Sequence, residues 1–78
     1  MNETMSKIID IMKEYIEEIP DNISENTKIR TELGVGSFEM VSIIGDIEDE
    51  FGISVDTDSI GDIVTLGDLV KYIECRTK

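Results

Sequence analysis

The chain has 78 residues, with 18 acids against 7 bases, a formal charge of −11, no histidine and one cysteine. That length suits one domain over residues 1–78 with a modest core, and the acidity would repel nucleic acid and anionic membranes while favouring partners with basic patches. Without histidine the usual general base and commonest transition-metal ligand are missing, and the lone Cys75 cannot close an internal disulfide, so a reduced, cytoplasmic protein is expected.

Ile8, Ile9, Met12, Tyr15, Ile16 and Ile19 recur at helical spacing and predict an amphipathic helix over 3–19, ended by Pro20 and Asp21. This segment lacks the basic start and continuous apolar centre of a signal peptide, and no apolar run approaches membrane-spanning length. PDNISENTKIRTELGVG follows as a long connection, with Ile23, Ile29 and Leu33 expected to pin it to the core. A connection of that length in a small domain is functional or tightly anchored. Residues 37–51 predict a second helix, stopped by Gly52. Ile53 and Val55 then turn inward, and DTDSIGDI predicts a short helical turn capped by Asp56 or Thr57. The last helix starts at Thr65, where Thr65-x-x-Asp68 reads as a capping box, and Leu66, Leu69, Val70 and Ile73 form its core face. There is no repeat, no low-complexity tract and no strand pattern. The expected fold is all-α, with three main helices and a short one.

The second helix has two apolar sides. At about 100° per residue, Met40, Ile43, Ile44, Ile47 and Phe51 fall on one face, the core stripe. Phe38 and Val41 fall elsewhere, beside Gly45 and near Glu39, Ser42, Asp46 and Asp49. Either a second element such as the long loop covers Phe38 and Val41, or they form an apolar docking centre with an acidic rim. Gly45 costs about 1 kcal/mol relative to alanine inside a helix, which implies close packing either within the protein or against a partner. Ser37 stands at the N-terminal end of this helix, where the dipole and free N–H groups favour an anion. It is either a helix cap or a point of attachment, with Gly34 and Gly36 keeping the approach open.

LGVGSFEMVSIIGDIEDEFGISV, in register with TLGDLVKYIE, resembles the signature region of acyl carrier proteins, and the likeness extends along nearly the whole chain. The resemblance implies an acyl-carrier-protein-like four-helix bundle that is not itself an enzyme. It implies that a phosphopantetheinyl transferase moves 4′-phosphopantetheine from coenzyme A onto Ser37. The thiol of that arm would hold acyl or related groups as thioesters for fatty-acid, polyketide or other specialised biosynthesis. It further implies a monomer whose docking surface comprises Phe38, Glu39, Val41, Asp46, Glu48 and Asp49, read by acyl-loading and acyl-processing enzymes. Where the family usually has Asp-Ser-Leu, this chain has Gly36-Ser37-Phe38. Ser42 and Gly45 also replace an acid and a larger apolar residue usual in the fatty-acid-synthesis members. These departures favour a specialised carrier over the housekeeping one. An aminoacyl or peptidyl carrier, and a carrier-like docking module that is never modified, are the alternatives.

Other signals lead nowhere. Gly34-Val35-Gly36 is a lone GxG without a preceding strand. Asp56, Asp58 and Gly61 echo a calcium loop, but Ile60 and Gly67 stand where further ligands belong, so no metal site is expected. Adjacent carboxylates such as Glu17-Glu18 point in different directions on a helix and make no acid–base pair.

Overall fold

In the computed structural model, which describes residues 3–77, the chain forms α1 (Glu3–Met12), α2 (Ile29–Glu32), α3 (Ser37–Phe51), α4 (Thr57–Ile60) and α5 (Leu66–Thr77). Among the described residues there is no strand, only an isolated antiparallel bridge between Lys28 and Thr65. The three long helices meet through their apolar stripes. Met5, Ile8, Ile9 and Met12 of α1, Met40, Ile43, Ile44 and Ile47 of α3, and Leu66, Leu69, Val70 and Ile73 of α5 are all buried. α1 packs against both α3 and α5. Burying aliphatic side chains at three- and four-residue spacing supplies most of the folding free energy of such a bundle.

The first helix is shorter than its apolar spacing predicts. It ends at Met12 rather than Ile19. Beyond it Lys13 N–H still reaches the Ile9 carbonyl at 3.0 Å, but Glu14 and Tyr15 reach back only three residues, to Ile11 and Met12; the ladder tightens, and a last bond from Ile16 N–H to the Met12 carbonyl at 2.9 Å ends it. Three causes act together. Glu14, Glu17 and Glu18 would sit at the negative end of the dipole. Pro20 pushes Ile19 away from helical geometry. Tyr15 bonds across to α3, its hydroxyl donating to Asp46 Oδ2 at 2.5 Å. Tyr15, Ile16 and Ile19 still pack against the core, but from irregular backbone.

The long connection is anchored, and it contains the α2 turn, which its polar composition conceals. Ile29 is fully buried, with Leu33 and Val35 buried behind it, and Ile23 packs against the core. Its backbone is tied to α5. Ile29 N–H bonds the Val64 carbonyl at 3.0 Å, Leu66 N–H the Thr27 carbonyl at 3.0 Å, and Gly67 N–H the Glu25 carbonyl at 2.8 Å. The loop thus supplies acceptors to N–H groups at the start of α5 that have none in the helix itself. The approach is so close that a Cβ on Gly67 would lie 2.9 Å from the Glu25 carbonyl oxygen.

Helix ends follow the sequence closely. Gly52 closes α3 in the left-handed region at φ 65°. Asp56 Oδ1 accepts from Asp58 N–H at 3.1 Å and caps α4; the side chain of Thr57, the alternative cap, lies outside the described residues. At α5 the capping box is complete: Thr65 Oγ1 accepts from Asp68 N–H, and Asp68 Oδ2 accepts from Thr65 N–H, both at 3.1 Å. Val64 N–H donates to the same carboxylate oxygen. These bonds, that from Thr65 first, hold the Asp68 carboxyl below its ordinary value.

Candidate functional site: Ser37 and the outer face of α3

Ser37 is the first residue of α3, and the cap position before it belongs to Gly36. Gly36 has extended backbone (φ −78°, ψ 172°), and its carbonyl accepts the first helical bond from Met40 N–H at 2.9 Å. Glu39 completes this start by reaching back to accept from Gly36 N–H at 3.0 Å. The capping alternative for Ser37 is therefore set aside. Its hydroxyl is exposed and accepts a hydrogen bond from Arg30 Nη2 at 2.8 Å.

Arg30 stands on α2, and nothing in the sequence pattern drew attention to it. The available signal was charge: Lys28 and Arg30 are two of only seven bases and lie just ahead of the serine. Both line a groove of about 640 Å³ that begins at Ser37 and runs over Met40, Val41, Ile60, Ile63 and Val64. The groove is apolar along its floor and cationic at its mouth. An anionic group on Ser37 would meet the positive end of α3 and a guanidinium in an otherwise acidic chain. These residues fit a phosphodiester at that oxygen.

The rest of α3 divides by side. Phe38 is 84% exposed and Val41 64%, so the loop does not cover them. No atom lies within 4 Å of a Cβ built on Gly45, so internal packing does not require glycine there. Three of the acids singled out from the sequence are engaged within the protein. Glu39 bonds Gly36, Asp46 accepts from Tyr15, and Glu48 Oε2 accepts from Val55 N–H at 2.7 Å. Each is half-buried, whereas Asp49 is exposed. The Asp46 carboxylate pushes the Tyr15 phenol from its ordinary 10.0 up to about 12, chiefly through their hydrogen bond.

Elsewhere, Cys75 is free and exposed. Among the described residues no cluster of three or more acids or thiols could hold a metal ion. No described helix is long and apolar enough to cross a membrane.

Comparison with known proteins adds the family. A family profile described as "Phosphopantetheine attachment site" matches residues 6–73. The chain is 36% identical to an acyl carrier protein of Thermotoga maritima over 72 residues, covering 92% of this chain and 89% of that one. It is 38% identical to an acyl carrier protein of Lactobacillus acidophilus over 72 residues, covering 92% and 90%. In structure it is similar to the acyl carrier protein of Enterococcus faecalis, with a TM-score of 0.80, 24% identity and coverage of 95% and 94%. The all-α fold, the profile over most of the chain and these relatives lead to one conclusion: the protein belongs to the acyl carrier protein family and is a phosphopantetheine-bearing acyl carrier.

Proposed function

We propose that Ser37 is the residue that carries the 4′-phosphopantetheine arm, joined through its Oγ as a phosphodiester. The observation that supports this most strongly is the state of that hydroxyl. It is exposed, it caps nothing, and it stands beside Arg30 at the mouth of the groove. When attached, the arm supplies the thiol that holds the acyl group as a thioester. The chain's own residues present the hydroxyl, receive the anion and offer an apolar floor.

On this reading the chain is one carrier domain over residues 1–78, cytoplasmic, monomeric and non-catalytic. It serves as the substrate of a phosphopantetheinyl transferase and of acyl-loading and acyl-processing enzymes. Phe38 and Val41 form the apolar centre of its docking face, with Glu39, Asp46, Glu48 and Asp49 as the acidic rim that meets basic patches. Gly36-Ser37-Phe38 and the uncrowded Gly45 support a specialised carrier with dedicated partners.

The test is the intact mass after incubation with coenzyme A and a broad-specificity transferase. One added arm on the parent and none on Ser37→Ala is the expected result. An arm on Ser37→Ala would move the attachment to another residue. An unmodified parent, also when isolated from its native cell, would favour the docking module.

A further inference from the structure

Resting on the assignment of Ser37, we propose that Arg30 is a phosphate ligand, which grips the phosphodiester of the attached arm and so fixes the root of the arm at the mouth of the groove. Four observations carry this. First, Arg30 Nη2 already lies 2.8 Å from the oxygen to be esterified. Esterification removes the hydroxyl proton and leaves Oγ a poor acceptor. It would also place two non-bridging oxygens, sharing one negative charge, on the phosphorus beyond Oγ, to which a planar guanidinium can donate.

Second, Arg30 is uncommitted. In a chain with 18 acids and 7 bases, no carboxylate among the described residues pairs with it. Other bases are engaged: Lys13 pairs with Asp10, while Lys7 and Arg76 lie over the rings of Phe51 and Tyr72.

Third, its backbone is held. The neighbouring Ile29 is fully buried and bonded to the Val64 carbonyl, and Glu32 N–H closes the turn onto Lys28 at 3.0 Å. The guanidinium therefore projects from a fixed base, and less freedom is lost when it closes on an anion. Fourth, a second base, Lys28, is also among the residues that line the groove.

The grip changes what the arm is. A free arm would swing about Ser37 in every direction; a gripped one would have its phosphate held on the side of Arg30, where Met40 and Val41 also line the groove. Arg30 thereby acts as a positioning residue for everything beyond the phosphate.

The experiment compares parent and Arg30→Gln, each loaded from coenzyme A and checked by mass for a single arm. Arg30 is exposed, so the variant is expected to fold. The phosphorus resonance of the loaded parent should differ from that of the same loaded protein unfolded in urea, where the phosphodiester is free of the fold, and move towards it as salt is added. In Arg30→Gln it should lie close to that unfolded value at all salt concentrations. Loading should raise the melting temperature of the parent by a few degrees, and that of Arg30→Gln by less. A resonance and a melting difference that are the same in both proteins, or a parent resonance indifferent to salt, would overturn the grip. The salt series on the parent stands even if Arg30→Gln loads poorly. No added mass on the parent overturns the attachment at Ser37, and the grip with it.

Discussion

Tyr15 and Asp46, 31 positions apart, are joined at 2.5 Å across the interface between the irregular end of α1 and the outer side of α3. A phenol whose ionised form would face a carboxylate is held neutral, and its pKa is pushed up to about 12. A raised acid pKa means that the native state keeps its proton longer than the unfolded chain. The stabilisation is therefore fully present below the ordinary 10.0 and is lost as pH rises through about 12. In a Tyr72→Phe background Tyr15 is the only tyrosine, so an ultraviolet titration reads it alone. The expected midpoint is near 12, returning towards 10 on Asp46→Asn.

Gly45→Ala is expected to stabilise the protein by about 1 kcal/mol, because alanine is the better helix former and nothing occupies the space of the new methyl group. Urea denaturation checks this. If the proposed docking face comes into close contact with a partner at Gly45, the same variant will bind that partner more weakly while being more stable. No fault in folding could produce that combination.

Gly67→Ala should act in the opposite direction. Its methyl group would sit 2.9 Å from the Glu25 carbonyl oxygen, and either that bond or the loop must give way. A loss of about 1–3 kcal/mol is expected, the usual cost of overpacking. Thermal unfolding would show it, with faster amide exchange at Ile29, Leu66 and Gly67, whose N–H groups tie loop to helix.

The capping box at Thr65 and Asp68 predicts a dependence on acid. The Asp68 carboxyl titrates below its ordinary 3.8 because backbone N–H groups bond its charged form. A depressed acid pKa adds stability above the unfolded value, and that stability disappears as pH falls below 3.8 through the lower native value. Acid unfolding of Asp68→Asn should therefore be less steep in this range than that of the parent. At neutral pH, Thr65→Ala should cost about 1 kcal/mol, the typical loss for a cap.

Phe38→Ala removes an 84% exposed ring and should leave stability within about 0.5 kcal/mol of the parent. If Phe38 anchors the proposed docking face, affinity for the modifying transferase falls by about tenfold or more. Calorimetry of binding beside a melting curve measures both. Unchanged affinity would remove Phe38 from that face.

Most of the architecture was legible because it rests on local rules. Core stripes at three- and four-residue spacing, the Gly52 stop, the Asp56 cap and the Thr65–Asp68 box each depend on a few neighbouring positions. What escaped depends on tertiary structure. The early end of α1 at Met12 rests in part on Tyr15 finding Asp46, a contact that no local pattern shows. The α2 turn requires the buried Ile29 and the carbonyl of Val64. Arg30 offered only its charge, since its relation to Ser37 exists only once that turn has formed. Val35 and Ile63, both buried, were hidden in segments that carry no periodicity.

The acids of α3 have a consequence for how such a carrier can diverge. Glu39 starts the helix, Glu48 holds Val55, and Asp46 holds Tyr15. An acid that also keeps the chain folded cannot be exchanged freely when a new enzyme must be recognised. Reversing its charge would unsettle the protein and its contacts at once. The positions free to drift are those with no duty inside the protein: Phe38 and Asp49. On the proposed docking face, new partner preferences would therefore be written in Phe38 and Asp49, beside acids that the fold itself needs.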